Sequence, residues 1–429
     1  MLYLPRPRTL LLAAPLCLSL GCAHYSPLPL DAKASAERLT SRRLEARTWT
    51  LRSLTEEALR HHPDLAVARA KYETAAAAVH TAGESPNPTV AVLPQIVPRD
   101  WISSTYAIDF DWTIETAGKR NKRILVALAQ KQAAAANVMD TAWKVRAAVR
   151  KAYLDVYVSE QRVKLLNEAI SRQGDLLRAF KERIKAGAES RSVTAQARLL
   201  QAQMRLQAAE SAKLAAVARA ALAEAMAMSV QGLDGATFSF AAFETTNSSF
   251  PSKMKALTRR SDILAALADY AAAEASLRLE IAKQYPDFHF NPGYQLDGGQ
   301  NKWDIGIGLT LPILNHNQGG IGEALAKRKE SVATFESVQA KALAEYDRAA
   351  AGLVAARTKL ATTDALLDEQ ARQAAAEERI FKSGEGDRTA LLTAQVEQAI
   401  TQASRVDAVA DVQAALGALE EATQTPVAE

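Results

Sequence analysis

The chain of 429 residues predicts a mainly helical fold with a small β part, made of long antiparallel helical hairpins and four strands. Three observations carry that expectation. Residues near 58 to 88 recur near 256 to 286: Leu59 with Leu257, Asp64 with Asp262, Tyr72 with Tyr270 and Pro88 with Pro286, each pair 198 positions apart. In both copies a long Ala-rich helical tract is interrupted once, by two short segments of alternating apolar and polar residues. After the interruption each copy carries a proline-free heptad tract that ends at a glycine. A duplicated unit of helix, strand pair and helical hairpin is the pattern of a component in an assembly, not of an enzyme.

The N-terminus comes first. Arg6 and Arg8 precede an apolar run from Leu10 to Leu20, too short for a permanent bilayer span, which reads as a secretory leader over residues 1–21. It ends in Ser19-Leu20-Gly21-Cys22, which resembles the lipobox of bacterial lipoproteins. That resemblance implies acylation of Cys22 and a lipidated segment 22–50. The lipobox prefers Leu three residues before the cysteine and a small residue two before it, where this chain has Ser19 and Leu20; Gly21 and Cys22 fit. The other reading is a leader followed by an unmodified thiol. Cys17 leaves with the leader, so the mature chain forms no intrachain disulfide.

Composition narrows the class. A formal charge of +4, with acids interspersed among the bases, does not suggest nucleic acid. After the leader there is no run of about eighteen apolar residues, so no transmembrane helix is expected. The joint Asn247-Ser248-Ser249-Phe250-Pro251 separates the copies, 51–250 and 251–429, which read as halves of one architecture. No Gly-rich phosphate loop, zinc-ligand spacing or nucleophile elbow occurs, so neither catalysis nor a cofactor is expected. His61 and His62 would diverge by about 100° on a helix, and His24, His80, His289 and His316 are scattered, so no metal site is expected either.

The helices follow. Ala142, Val145, Val149, Ala152, Val156, Val163, Leu166 and Ile170, then Leu177, Phe180 and Ile184, step by fours and threes along a heptad seam. The tract from Gly118 to Lys185 has no proline and could run for roughly 100 Å as one helix. Its counterpart runs from about Ile321 to Phe381. Gly187 and Gly384 then mark matching hairpin turns. Ala-rich stretches at 133–136 and 215–221 allow close approach of neighbouring backbones and favour several helices side by side.

The interruptions carry the decisive pattern. In one, Tyr106, Ile108, Phe110, Trp112 and Ile114 alternate with Ala107, Asp109, Asp111 and Thr113; in the other, Trp303, Ile305, Ile307, Leu309 and Leu311 alternate with Asp304, Gly306, Gly308 and Thr310. Partner strands are expected at Thr89 to Ile96 and Asp287 to Tyr294, with Phe288, Phe290 and Tyr294 alternating with His289. Ten-residue strands, apolar outside and polar inside with aromatics near their ends, are the signature of an outer-membrane barrel. Tyr106, Ile108, Phe110, Trp112, Trp303, Ile305, Ile307 and Leu309 then face lipid, and Asp109, Asp111, His289 and Asp304 face a wet lumen. A soluble hairpin packed on a helix is the alternative.

Four strands cannot close a barrel, and an open edge in lipid costs several kcal/mol per unsatisfied backbone group. Two copies give eight strands and a filled interior; three give twelve and the smallest conducting channel. A homotrimer sharing a twelve-stranded barrel follows.

At this point the chain resembles the TolC-like outer-membrane efflux channels, through Ala58-Leu59 to Asp64-Leu65, Pro86-Asn87-Pro88, Tyr285-Pro286, Leu311-Pro312-Ile313-Leu314-Asn315 and the stretch Gly384 to Gln395. The resemblance implies a trimeric barrel continuous with a periplasmic helical tunnel in the outer membrane of a Gram-negative bacterium. It also implies a periplasmic adaptor and an inner-membrane pump of the resistance-nodulation-division type. Glu115-Thr116-Ala117-Gly118-Lys119-Arg120 and Asn315-His316-Asn317-Gln318-Gly319 are most similar to the heavy-metal branch, so metal cations are an expected cargo. The same resemblance puts Gly187 and Gly384 at the tunnel tip, where adaptor hairpins dock and the pore constricts, with Ser190, Glu385, Asp387, Leu391 and Leu392 beside them. Where the best-known gate has two aspartates, this chain has Ala390 and Thr393; Glu385 and Asp387 keep negative charge nearby. Turn chemistry and an N-cap explain both acids equally well. Lys119, Arg120, Lys122 and Arg123 crowd the start of a long helix, against the macrodipole, to meet anionic headgroups or simply water. Two other functions stay open: a channel for type I polypeptide secretion, and a non-conducting periplasmic coiled-coil lipoprotein scaffold.

Overall fold

The computed structural model describes residues 25–96, 104–244 and 252–426. The leader, Cys22 and the joint 247–251 lie outside the described residues. Two units separate, Met1–Arg42 and Arg43–Glu429. Within the first, helix α1 (Ala32–Ser41) is capped by Asp31, whose carboxylate accepts from the Lys33 and Ala34 amides.

In the second unit the order is β1 (Thr48–Trp49), α2 (Leu51–His61), α3 (Pro63–Gly83), β2 (Thr89–Gln95), β3 (Thr105–Ile114), α4 (Lys119–Lys185) and α5 (Arg191–Ala225). Then come β4 (Thr237–Phe238), α6 (Lys253–Arg259), α7 (Ser261–Ala282), β5 (Phe288–Asp297), β6 (Gln300–Leu309), α8 (Gln318–Lys382) and α9 (Arg388–Thr423). The proline-free tract is one helix of 67 residues and its counterpart one of 65. Both long helices leave a left-handed residue at matching places, Gly118 with φ 66° and Asn317 with φ 59°. Helix α4 packs on α3, α5, α7 and α9, and α8 on α7 and α9.

Buried positions are largely alanine. Ala169, Met204, Val396 and Ala399 join α4, α5 and α9, and Ala349, Leu353, Ala356, Val412 and Leu416 join α8 to α9. Val145, Val149, Ala152, Val156, Leu166 and Leu177 of the expected seam are buried, whereas Val163, Phe180 and Ile184 are only half-buried. A straight helix drifts about 20° per heptad against a strict seven-residue repeat, and α4 has neighbours on several sides.

One large aromatic core breaks the symmetry of the copies. Tyr153, fully buried, stacks among Phe238, Phe240 and Phe243, and its hydroxyl donates to the carbonyls of Ser239 at 2.7 Å and Trp49 at 3.2 Å. The parallel pair β1–β4 holds this core together. Counting as from Gly187 to Gly384, the matching residues of the second copy are Ala350 and, for Tyr157, the exposed Val354.

The basic cluster is tied to backbone carbonyls. Arg120 and Arg123 donate to the carbonyls of Gly83, Ala82 and Glu84, at the negative end of α3. Arg123 also pairs with Glu115. Lys122 bonds the Ala117 carbonyl at 2.6 Å. Lys119 is 8% exposed, with its ammonium 2.6 Å from the Tyr285 carbonyl and 2.8 Å from Asp287 Oδ1. These cations stitch the helix start to the strand bases, and the carbonyls offset the repulsion of the α4 dipole. No described helix is long and apolar enough to cross a membrane.

Candidate functional site: a two-faced sheet and the hairpin tips

Strands β2, β3, β5 and β6 form one antiparallel sheet in that order, leaving β2 and β6 as edges. The β5–β6 hairpin closes through Gly298 and Gly299, both with positive φ (55° and 80°), the two-residue turn whose twist suits paired strands. That turn corrects two expected boundaries, since β5 continues to Asp297 and β6 starts at Gln300; at its other end β6 stops at Leu309, so Leu311 lies beyond the strand.

The register sorts every side chain onto one of two faces. Val90 pairs with Phe110, Val92 with Ile108 and Pro94 with Tyr106; Trp112 pairs with Phe290 and then Ile307, Ile108 with Tyr294 and then Trp303. This apolar face is open: Trp303 is 80% exposed, and Ile305 and Ile307 each 74%. Tyr106, Ile108, Phe110, Trp112 and Leu309 are exposed with them. The opposite face carries Asp109, Asp111, Thr113, His289, Asn291, Gln295, Lys302 and Asp304, with Leu93 its one large apolar side chain.

The four residues expected to share a lumen come together on that polar face. His289 Nδ1 is 3.1 Å from Asp111 Oδ1, and Thr113 Oγ1 is 3.4 Å from the same ring nitrogen. Asp109, Gly293 and Asp304 form one row across three strands. A Cβ at Gly293 would stand 2.6 Å from Asp304 Oδ1 and 2.8 Å from Asp109 Oδ1, so only glycine lets the two carboxylates lean over the same strand. Towards the turn, Asp297 is held by Lys302 at 2.6 Å and Thr105 at 3.0 Å. No group of His, Cys, Asp and Glu among the described residues has the geometry of a metal site.

At the other end of the long helices, Gly187 (φ 72°) closes α4 in a Schellman motif: its amide bonds the Ile184 carbonyl and the Ala188 amide that of Arg183. Ser190 caps α5, accepting from the Ser192 amide at 3.3 Å. Gly384 (φ 81°) ends α8, and Asp387 caps α9, accepting from the Thr389 amide at 2.9 Å and its hydroxyl at 2.7 Å. Asp387 does more than cap: it forms an ion pair with Arg183 of the first hairpin, which also reaches Glu189 at 3.5 Å. Burial pushes the Asp387 carboxyl up, but the Thr389 donors and the Arg183 guanidinium outweigh it and hold the group below its ordinary value. Leu391 is buried and packs inward, Leu392 is half-buried and Glu385 is exposed.

Three participants escaped sequence reasoning. Arg183 has its partner in the other copy, which no local pattern announces. Gly386 is required by close approach, since a Cβ there would stand 2.6 Å from the Phe381 nitrogen and 2.8 Å from the Ile380 carbonyl carbon. Gly293 was legible only as a glycine inside a strand, the usual mark of a close approach.

With this geometry in hand, both copies match one family. Residues 54–228 and 254–424 fit the outer membrane efflux protein family. The chain belongs to that family. It is an outer-membrane efflux channel and not an enzyme. This channel is 25% identical over 324 residues to the cobalt-zinc-cadmium resistance protein CzcC of Cupriavidus metallidurans, covering 72% of this chain and 75% of the relative. It is also 25% identical over 383 residues to the pyoverdine export outer membrane protein OpmQ of Pseudomonas aeruginosa, covering 77% and 79%. Its fold matches the solved outer-membrane channel OprN with a TM-score of 0.73 at 18% identity, over 95% of this chain and 99% of that one.

Proposed function

We propose that three copies of this channel close one twelve-stranded barrel in the outer membrane and form the exit duct of a tripartite pump. The observation that carries this reading is the sheet: among the described residues both edges, β2 and β6, are unpaired, one face is apolar and open, and the other is polar. In lipid every backbone group must be satisfied, and β6 of one copy pairing with β2 of the next satisfies both edges. The hairpins of α4–α5 and α8–α9 then continue the barrel as a periplasmic tunnel. Cys22 supplies a lipid anchor. A periplasmic adaptor docks at the Gly187 and Gly384 tips, and a resistance-nodulation-division pump in the inner membrane drives export.

Metal cations are the proposed cargo. The likeness to a cobalt-zinc-cadmium resistance protein supports this, as do Asp109, Asp111 and Asp304 on the polar face, which favour cations in passage without a tight site. The Arg183–Asp387 pair, joining the two hairpins at the tip, is the proposed resting closure.

The test is oligomeric mass in detergent together with conductance in planar bilayers. A conducting trimer supports the duct; a monomer without conductance overturns it. Cargo is tested separately, by zinc, cobalt and cadmium tolerance of cells lacking the channel.

A further inference from the structure

The two copies differ where strand gives way to helix. After β3 ends at Ile114, three residues (115 to 117) lead to the left-handed Gly118; after β6 ends at Leu309, seven (310 to 316) lead to the left-handed Asn317. The first connection is closed by polar bonds, with the Thr116 hydroxyl 2.6 Å from the Pro286 carbonyl and its amide 2.8 Å from Asp287 Oδ1. The second, longer one is apolar. Leu311 is 62% exposed, Ile313 71% and Leu314 97%.

This knuckle is held in shape. The Ile313 amide bonds the Leu311 carbonyl at 2.9 Å, the Asn317 amide bonds Asn315 Oδ1 at 2.8 Å, and Asn317 Nδ2 bonds the Glu280 carbonyl at 2.8 Å. Leu311 and Ile313, both exposed, follow Trp303, Ile305, Ile307 and Leu309 along the chain, so the exposed apolar run of β6 continues in sequence past the end of the strand. Tyr285, 60% exposed, stands at the same rim, three residues before Phe288, which pairs with Leu309. An aromatic with a polar tip at a barrel rim suits the boundary between acyl chains and headgroups.

We propose that Leu311, Ile313 and Leu314, with Tyr285 beside them, insert into the periplasmic leaflet of the outer membrane and fix the depth of the barrel. The occupant is lipid, because the surface continues the open apolar face of a chain that works in a membrane. This inference rests on the barrel reading.

The experiment uses the full chain carrying single variants Ile313→Cys, Leu314→Cys and, as control, Ile307→Cys, with the unsubstituted chain labelled in parallel as the background. Each is labelled with a polarity-sensitive fluorophore and reconstituted in phosphatidylcholine vesicles. Nitroxide-labelled lipid should quench the labels at 313 and 314 as fully as the label at 307, and aqueous iodide should reach none of them. Iodide quenching at 314 with lipid quenching at 307 overturns the proposal. A label at 314 shielded from both quenchers means that a neighbouring copy covers the knuckle, which also overturns it. A control at 307 that lipid fails to quench removes the barrel reading itself. Both loop positions are exposed, so the substitutions leave the fold intact.

Discussion

Arg183 and Asp387 form an ion pair across 204 residues of sequence, joining the end of the first long helix to the start of the second copy's return helix. Both side chains are partly exposed, 35% and 43%, so the pair itself contributes only about 0–1 kcal/mol. Loss of the Asp387 cap costs about 1 kcal/mol more. Arg183→Ala should therefore loosen the tip less than Asp387→Ala, measured by hydrogen exchange of the first amides of α9. Both variants should raise the resting conductance of the assembled channel. Unchanged conductance and adaptor cross-linking in Asp387→Ala would take the residue out of the gate.

The pH dependence has a definite sign. The carboxyls of Asp387 and Asp287 are pushed up by burial, but hydrogen bonds and cations outweigh that and lower both. A carboxyl lowered on folding stabilises at pH values above its unfolded pKa, and that contribution is lost as pH falls through the folded value. Tip and strand base should be insensitive around neutrality and loosen only below the ordinary carboxylate range, near pH 4. Hydrogen exchange from pH 7 down to 3 checks this; loosening centred near pH 6.5 would point to a histidine instead.

Gly386→Ala should destabilise the second tip by about 1–3 kcal/mol, because its Cβ meets the backbone of Phe381 and Ile380 and not a movable side chain. Gly322→Ala in the middle of the copy, where nothing lies within 4 Å of the new methyl, is the matched control and should be neutral or slightly stabilising. Thermal melting of the two variants side by side decides it.

Tyr153→Phe keeps the ring packing and removes one hydroxyl from two backbone carbonyls. The expected cost is about 1–2 kcal/mol, read from the denaturation midpoint. No such effect is expected from Val354→Ala at the matching site of Tyr157 in the second copy, since Val354 is 68% exposed.

Asp109→Asn and Asp304→Asn should each reduce the preference of the open channel for cations over anions, with the double variant lower still. Reversal potentials in a salt gradient measure it. An unchanged potential in the double variant would place selectivity elsewhere along the duct.

Much of this was legible in the residues. Alternation over 106–114 and 303–309 assigned both faces of the sheet, because a period of two fixes which side each residue takes. The absence of proline between Gly118 and Lys185, and the glycines at 187 and 384, set the long helices and their turns. What stayed hidden depends on distant partners. The basic cluster at 119–123 looked exposed because its acceptors are carbonyls of α3 and of Tyr285, elsewhere in the sequence. Asp387 read as a tip acid or an N-cap, with no partner named, because Arg183 lies in the other copy. The burial of Leu391 stayed hidden because a periodic helix does not announce which of two adjacent leucines turns inward.

Every side chain of the aromatic core, from Leu44 to Phe243, precedes the second copy in the chain. A polypeptide is made from its amino end, so this core has all its parts before the second copy exists. Folding can then proceed in sequence, with a finished first half as the template on which α7, α8 and α9 are laid down. The two halves divide the labour: the first holds this core, and at the places of Tyr153 and Tyr157 the second has Ala350 and Val354.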